Sequence, residues 1–175
     1  HGPWRGEPES YWSRDDALFR SEAGAPGASP AELTRRYAGG LPVMPATLTN
    51  PLWRRTSWWL QWDRFLTESG HGEDASLEQY VAWSQADQAE ALRRAVVACK
   101  SRFPRCGGIL LWMGHDCFPC TANTSLLDFQ GKPKPAAEAV AEVFRAPAGE
   151  ALAAALPGDV APLSKDAAPP RSPST

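Results

Sequence analysis

Glu22 is the residue of this chain whose setting in the sequence most clearly indicates chemistry. It follows the short apolar run ALFRS at 17–21, which predicts a strand, and it precedes a turn-forming segment with two glycines and a proline. A carboxylate at the end of a buried strand is held for catalysis, as a nucleophile or an acid–base group, or for a structural ion pair. The structural alternatives are a cap on the following turn and an ion pair with Arg20.

A second candidate group lies at the end of the apolar run GILLWM, residues 108–113. A continuous apolar run that is reached from a helix through a glycine turn predicts a parallel strand buried on both faces. Trp112 lies near its end, and His115 and Asp116 follow in the next loop. A carboxylate and an indole on neighbouring strand ends would form half of a glycosidase site, with the carboxylate attacking the anomeric carbon. The alternative is that His115 and Asp116 only tie down their own loop.

Cys117 and Cys120 form a C-x-x-C pair, a spacing that thioredoxin-like sites place at a helix N-terminus. Here the turn-rich sequence TANTS follows instead of a helix start. A zinc site would need a second pair or spaced histidines, and His115 alone is near. We therefore expect no metal and no cofactor. A redox module stays an alternative, and its mark would be a thiol of lowered pKa.

Composition excludes several classes of partner. The chain has 175 residues, of which 43% are hydrophobic and 22% charged, as in a globular domain. The net charge of −2 leaves no basic surplus for phosphates, so we expect no nucleic-acid partner. No apolar run approaches the roughly 20 residues of a membrane span, and no signal peptide is visible, so we expect no membrane partner and favour the cytoplasm. The missing initiator Met predicts that the chain is cut from a longer polypeptide.

Tryptophan is unusually frequent, with 8 residues, three of them in SWWLQW. Trp58, Trp62 and Phe65 lie at helical spacing, which predicts a buried stripe in the core rather than a platform for a sugar ring. Trp4 and Trp112 lie outside this stripe and stay candidates for stacking against a ligand.

The elements that must position these residues alternate strand and helix. The predicted helices cover 30–37, 52–66, 84–103 and a segment that begins at Pro135, with capping patterns at Ser29–Glu32 and Ser76–Gln79. This order is typical of an α/β barrel or a doubly wound sheet. Because a (β/α)₈ barrel needs eight strands and about 250 residues, the chain is at most a slice of one. The Ala/Pro/Ser-rich segment 146–175 predicts a disordered tail or linker.

Two blocks of sequence resemble the β-mannosidase branch of glycoside hydrolase family two. HGPWRGEPESYWSRDDALFRSEAG, residues 1–24, resembles a family stretch that reads H-x-x-W and then F-x-S-E-x-G. GGILLWMGHDCFPCTANTSLLDFQGKPKPA, residues 107–136, resembles the closing segment G-x-L-Y-W-Q-L-N-D-C-W-P, followed by S-x-D-Y and P-K. The resemblance covers roughly residues 1–145, is specific within these blocks, and implies the last two strands of a catalytic TIM barrel with their helices.

The resemblance implies hydrolysis of terminal β-glycosidic bonds, in the manner of a β-mannosidase, by a retaining mechanism. Glu22 matches the nucleophile and Trp112 the tryptophan that floors the sugar subsite. The remaining matched positions imply substrate contacts by His1, Trp4 and Asp116. His115, directly before Asp116, is a further candidate for a substrate contact. Ala23 replaces a family aromatic, Met113-Gly114-His115 replaces Q-L-N, and Phe118 replaces Trp, and these departures bear on which sugar is bound.

One element of the family mechanism has no match in this chain. The acid/base glutamate belongs to an N-E motif on an earlier strand, and no N-E motif occurs in the sequence. The implied partners are therefore a β-linked carbohydrate and the missing N-terminal barrel and sandwich domains of the same protein, and the isolated chain is expected to be inactive. The alternative is a non-catalytic carbohydrate-binding module or a degenerate barrel fragment.

Overall fold

The computed structural model describes residues 1–149 and Leu152, so most of the predicted tail at 146–175 lies outside the described residues. These residues form helices, a 3₁₀ segment and short strands, which confirms an α/β chain with small sheets. In chain order the elements are α1 (Glu9–Trp12), β1 (Arg20–Ala23), β2 (Gly27–Ala28), α2 (Ala31–Arg36), the 3₁₀ segment (Trp53–Trp59), α3 (Trp62–Glu68), α4 (Leu77–Ser101), β3 (Ile109–Leu111), β4 (Ala122–Asn123) and α5 (Pro135–Arg145).

The strands form two small sheets. β1 pairs with β3 in parallel, with Arg20 opposite Ile109 and Ala23 opposite Leu111, and the register shifts between these two pairs. β2 pairs with β4 in antiparallel fashion. The strand predicted at 108–113 is confirmed by β3, whereas the strand predicted at 17–21 overlaps β1 at Arg20 and Ser21 only, since Leu18 and Phe19 precede β1 and are exposed. The parallel pairing places the carboxyl ends of β1 and β3 at the same edge.

α4 is one continuous 25-residue helix, so the predicted start near Ser84 is wrong. The second capping pattern is confirmed: Gln79 N–H donates to Ser76 Oγ at 3.2 Å, and Ser76 N–H donates to Gln79 Oε1 at 2.8 Å. The helix therefore begins directly after its cap, and its first turns already face the core through buried Leu77 and Tyr80. Phe103, predicted to continue the apolar stripe, lies beyond the helix end and is 55% exposed.

The predicted capping box at Ser29 and Glu32 is wrong. Pro30 is the N-cap of α2 and no side chain caps the helix. Ser29 is instead drawn into the small antiparallel sheet, because its N–H donates to Thr121 O at 2.9 Å.

The predicted tryptophan stripe is correct in part. Trp62 and Phe65 are buried in α3, whereas Trp58 is 88% exposed. The 3₁₀ segment ends at Trp59 and Leu60 is extended, so the helical register between Trp58 and Trp62 is broken.

Two apolar clusters form the core. One lies between α4, α5 and the β1–β3 pair, and the other joins the 3₁₀ segment, α3 and the start of α4. In the described residues GILLWM is buried on one face only: Ile109 points to the core while Leu110 is 57% exposed. The helices cover one side of the β1–β3 pair, and burial on both faces is expected of the complete fold rather than of this segment alone. No described helix is long and apolar enough to cross a membrane.

Candidate active site

The parallel pairing of β1 and β3 brings Glu22 and Trp112 to one edge. Glu22 is the third residue of β1, and Trp112 directly follows β3. Trp112 N–H donates to Ala23 O at 2.7 Å, which ties the ends of the two strands together. Segments about 90 residues apart in the sequence therefore meet at the edge where barrel enzymes place their catalytic groups.

The Glu22 carboxylate is largely buried, with 20% of its side chain exposed, and faces His1. Glu22 Oε2 lies 2.7 Å from Nδ1 of His1, at ion-pair distance without a hydrogen bond of good geometry. The proposed structural alternative, an ion pair with Arg20, is not formed. Arg20 pairs with Asp15 instead, and its Nη1 donates to Gly2 O at 3.1 Å. Arg20, the cationic residue of β1, therefore does not form an ion pair with the Glu22 carboxylate.

Asp15 forms a buried ion cluster below this edge, with Arg20 on one side and Arg102 on the other. Arg102 Nη2 donates to Asp15 Oδ2 at 2.6 Å, and the Asp15 side chain is 3% exposed. Burial alone would raise the pKa of Asp15, but the hydrogen bonds from the two arginines outweigh it and lower the pKa. The cluster anchors β1 to the end of α4.

Two tryptophans and a histidine wall the space beside Glu22. The rings of His1 and Trp4 meet edge to face at 4.9 Å, and those of Trp4 and Trp112 at 6.0 Å. Trp112 is 37% exposed, so part of its surface is open to solvent. Met113, the next residue, has a φ of 69°, a conformation that non-glycine residues adopt rarely.

Gly24 permits the close approach that forms this edge. A Cβ at this position would lie 3.2 Å from Thr124 Cβ and 3.5 Å from Trp112 Cβ. Its N–H donates to Pro3 O at 2.8 Å, which holds the segment that carries His1 and Trp4 against the end of β1. The glycine after Glu22 is therefore a packing requirement.

Asp116 belongs to a separate, buried polar cluster. Its Oδ1 accepts hydrogen bonds from Asn123 Nδ2 at 2.9 Å and from Ser125 Oγ at 2.6 Å. Its Oδ2 lies 3.7 Å from Nζ of Lys134, and both side chains are almost completely buried. Burial lowers the pKa of Lys134, against the opposing effect of the Asp116 carboxylate. This arrangement fixes the loop that follows Trp112.

His115 is exposed and pairs through its backbone with Leu127. The structure thus brings together Glu22, His1, Trp4 and Trp112, while Asp116 and His115 lie in the loop beyond them. Lys134 and its partners were not singled out from the sequence. The sequence offers one signal for this cluster, a lysine that lies between two prolines directly before a helix. A lysine is rarely buried unless it is paired.

Cys120 does not carry the mark of a redox thiol. Cys117 is exposed and Cys120 half-buried, and both are free thiols. Burial raises the pKa of Cys120 to about 12, opposite to the lowered value that a reactive thiol needs. Among the described residues, no group of three or more His, Cys, Asp or Glu side chains could hold a metal ion.

A cavity of about 230 Å³ lies at the opposite end of β3 from Trp112, lined among others by Cys99, Phe103 and Ile109. Because it borders the beginning of β3, it lies away from the carboxyl strand ends that carry Glu22 and Trp112. It does not contribute to the candidate site.

Comparison with known proteins points to one group of enzymes. The chain is 38% identical over 72 residues to beta-mannosidase B from Aspergillus flavus and 37% identical over 71 residues to beta-mannosidase B from Aspergillus niger. Each match covers 39% of this chain and 8% of the relative, so the chain spans a small part of these proteins. No family model matches the chain.

One solved structure shares the fold. A beta-D-mannosidase from Dictyoglomus thermophilum superimposes with a TM-score of 0.58 at 23% sequence identity, over 79% of this chain and 17% of that protein. The chain therefore has the fold of a part of that β-mannosidase.

Proposed function

We propose that this chain is the C-terminal part of the catalytic barrel of a family-two glycoside hydrolase that acts like a β-mannosidase on terminal β-glycosidic bonds. Residues 1–145 would be the last two strands of a (β/α)₈ barrel with their helices, and 146–175 a tail or linker. The observation that carries the proposal is the parallel pairing of β1 and β3, which sets Glu22 beside Trp112. The partial identity to β-mannosidases and the shared fold support it.

In the proposed mechanism Glu22 is the nucleophile of a retaining double displacement. Its carboxylate attacks the anomeric carbon and forms a glycosyl–enzyme bond, while the leaving oxygen takes a proton from the acid/base residue. Water then hydrolyses the glycosyl–enzyme bond and restores the carboxylate. Glu22 suits this role because Arg20 pairs with Asp15 and not with Glu22. The Glu22 carboxylate therefore faces His1 and open space.

The aromatic residues would bind the sugar ring. Trp112 would floor the subsite with its exposed indole, and Trp4, edge on to it at 6.0 Å, would form a wall. His1, 2.7 Å from the carboxylate, would hold Glu22 in position for attack. Asp116 would act indirectly, by holding the loop that follows Trp112 in place, because its oxygens face Asn123, Ser125 and Lys134.

The second carboxyl group must come from elsewhere in the barrel. Retaining hydrolysis needs two carboxyl groups about 5–5.5 Å apart. We propose that an earlier strand of the same polypeptide provides it, in a part of the barrel that precedes this segment. The isolated chain is therefore expected to be inactive.

A mechanism-based inactivator tests the assignment of Glu22. The complete gene product that contains residues 1–175 is treated with a 2-fluoro-β-mannoside and digested, and labelled peptides are identified by mass spectrometry. We expect the label on Glu22, and no label after Glu22→Gln, whereas exposed Glu9→Gln should label normally. Labelling of a different carboxylate would refute the assignment. Sugar binding without hydrolysis by the unaltered protein would instead support a non-catalytic module.

A further inference from the structure

A second cleft lies between α2, the 3₁₀ segment and the loop 118–121. It shares no lining residue with the group formed by Glu22, His1, Trp4 and Trp112, here called the Glu22 cluster. Its volume is about 210 Å³. This is below the range of about 300–1,000 Å³ that drug-sized ligands occupy, and it suits a single ring.

Two exposed aromatic side chains line this cleft. Tyr37 is 41% exposed and Phe118 is 56% exposed. Both side chains lie on the wall of the cleft, and an aromatic face attracts the C–H face of a sugar ring. Leu52 and Pro119 extend the apolar lining between them.

Two polar side chains of the cleft are available to a ligand. Arg55 is exposed on its wall, and none of the hydrogen bonds and ion pairs among the described residues involves it. Thr34 is 3% exposed, and its Oγ1 has no hydrogen-bond partner within residues 1–149. A buried hydroxyl without a partner is uncommon, and its presence on the wall of an aromatic cleft points to a ligand rich in oxygen.

The cleft and the candidate active site border the same loop. The loop that begins after Trp112 carries Phe118 six residues further along the chain. This continuity makes the carbohydrate of the proposed function the ligand to test at the cleft.

We propose that the cleft binds a further pyranose ring of the carbohydrate, stacked on Tyr37 and Phe118 and hydrogen-bonded by Arg55, as a subsite separate from the Glu22 cluster. The class of ligand rests on the proposed function, whereas the location rests on the cleft itself. The subsite would favour saccharides of several rings over monosaccharide glycosides.

Binding without turnover tests this subsite. The complete gene product carrying Glu22→Gln is titrated with β-1,4-mannotriose and, separately, with methyl β-mannoside by isothermal calorimetry. Adding Phe118→Ala should weaken mannotriose binding about five- to tenfold and leave methyl β-mannoside binding unchanged. Phe118→Trp should restore it. The matched control is Phe144→Ala, a similarly exposed phenylalanine on α5, which should change neither affinity.

A second variant guards against misfolding of Phe118→Ala. Arg55→Met keeps the apolar lining, and its exposed side chain is not needed for folding, so it should also weaken mannotriose binding selectively. Unchanged mannotriose affinity in both variants, or an equal loss for both ligands, would overturn the subsite.

Failure of the proposed function gives a different pattern. A protein that neither hydrolyses aryl β-mannosides nor binds methyl β-mannoside would lack that function. Mannotriose binding that still depends on Phe118 would then support the subsite alone, and absence of any mannotriose binding would overturn it.

Discussion

Replacing Lys134 by methionine removes one charge from a pair that is sealed from solvent. The side chains of Lys134 and Asp116 are 1% and 0% exposed, and Nζ lies 3.7 Å from Oδ2. Removal of one partner of a buried ion pair costs about 3–5 kcal/mol, because the other charge is left without compensation. Methionine fills a similar volume, so the loss should be electrostatic rather than due to a cavity.

We expect Lys134→Met to lower the free energy that opposes opening of this region by about 3 kcal/mol, near the lower limit of that range. Asn123 and Ser125 still donate to Asp116 Oδ1 in the variant, at 2.9 and 2.6 Å, and partly compensate the carboxylate. The 3.7 Å separation is also longer than a charge-assisted hydrogen bond. A free energy of 3 kcal/mol corresponds to a change of about 150-fold in an opening equilibrium.

Hydrogen exchange measures this opening locally. In the complete gene product, peptides that cover residues 112–134 should exchange about 100-fold faster in Lys134→Met than in the unaltered protein. Lys132→Met, an exposed lysine two residues away, is the control and should exchange normally. The double variant Asp116→Asn/Lys134→Met should lose less than the sum of the single variants. A change below about threefold in Lys134→Met would refute the reasoning, because a solvated pair is worth less than 1 kcal/mol.

Three further predictions address the site and the core. Gly24→Ala should lower the free energy of unfolding by about 1–3 kcal/mol and weaken substrate binding, because the added Cβ would lie 3.2 Å from Thr124 Cβ. Urea denaturation measures the first effect and KM the second. Gly114→Ala, with open space around the residue, is the control and should be neutral. Burial raises the folded-state pKa of Cys99 and of Tyr80 to about 12, above the ordinary values of 9.0 and 10.0, so these groups stabilise the fold fully below pH 9 and lose that contribution as pH rises toward 12. A urea midpoint that stays constant from pH 9 to pH 12 would contradict this, and Tyr80→Phe should reduce the fall. Cys120, with its pKa raised to about 12, should react with iodoacetamide at pH 7 no faster than an ordinary thiol, and rapid alkylation would revive the redox alternative.

The sequence was sufficient where one local signal determined the structure. The Ser76–Gln79 capping pattern is present as predicted. Of the runs predicted as strands, 108–113 contains β3, while 17–21 overlaps only the first half of β1. The predicted start of α4 near Ser84 is wrong because the stretch capped by Ser76 and the apolar stripe from Ser84 onward belong to one helix. The predicted cap at Ser29 is wrong because a tertiary hydrogen bond to Thr121 outweighed a local helix signal.

The candidate site could be predicted only in part. Glu22 and Trp112 followed from strand ends and from resemblance, but their partners depend on contacts between distant segments. The pairing of Arg20 with Asp15, which leaves Glu22 facing His1, has no local signature, because residues of both signs are close together there in the sequence. Lys134 was missed because a single lysine in a polar loop normally indicates a solvated position.

The Asp116 cluster is connected to the backbone of Trp112 through the loop after β3, and this connection explains why a deeply buried aspartate lies next to the candidate site. Thr124 Oγ1 donates to Trp112 O at 3.1 Å, and the next residue, Ser125, donates to Asp116. Lys134 Nζ in turn donates to Ser125 Oγ at 2.9 Å. The backbone of Trp112 is thus held from one side by β1, through Ala23, and from the other by a network with a buried charge at its centre. Because a charge tolerates little displacement in such surroundings, the network fixes the indole relative to Glu22 more strictly than apolar packing would.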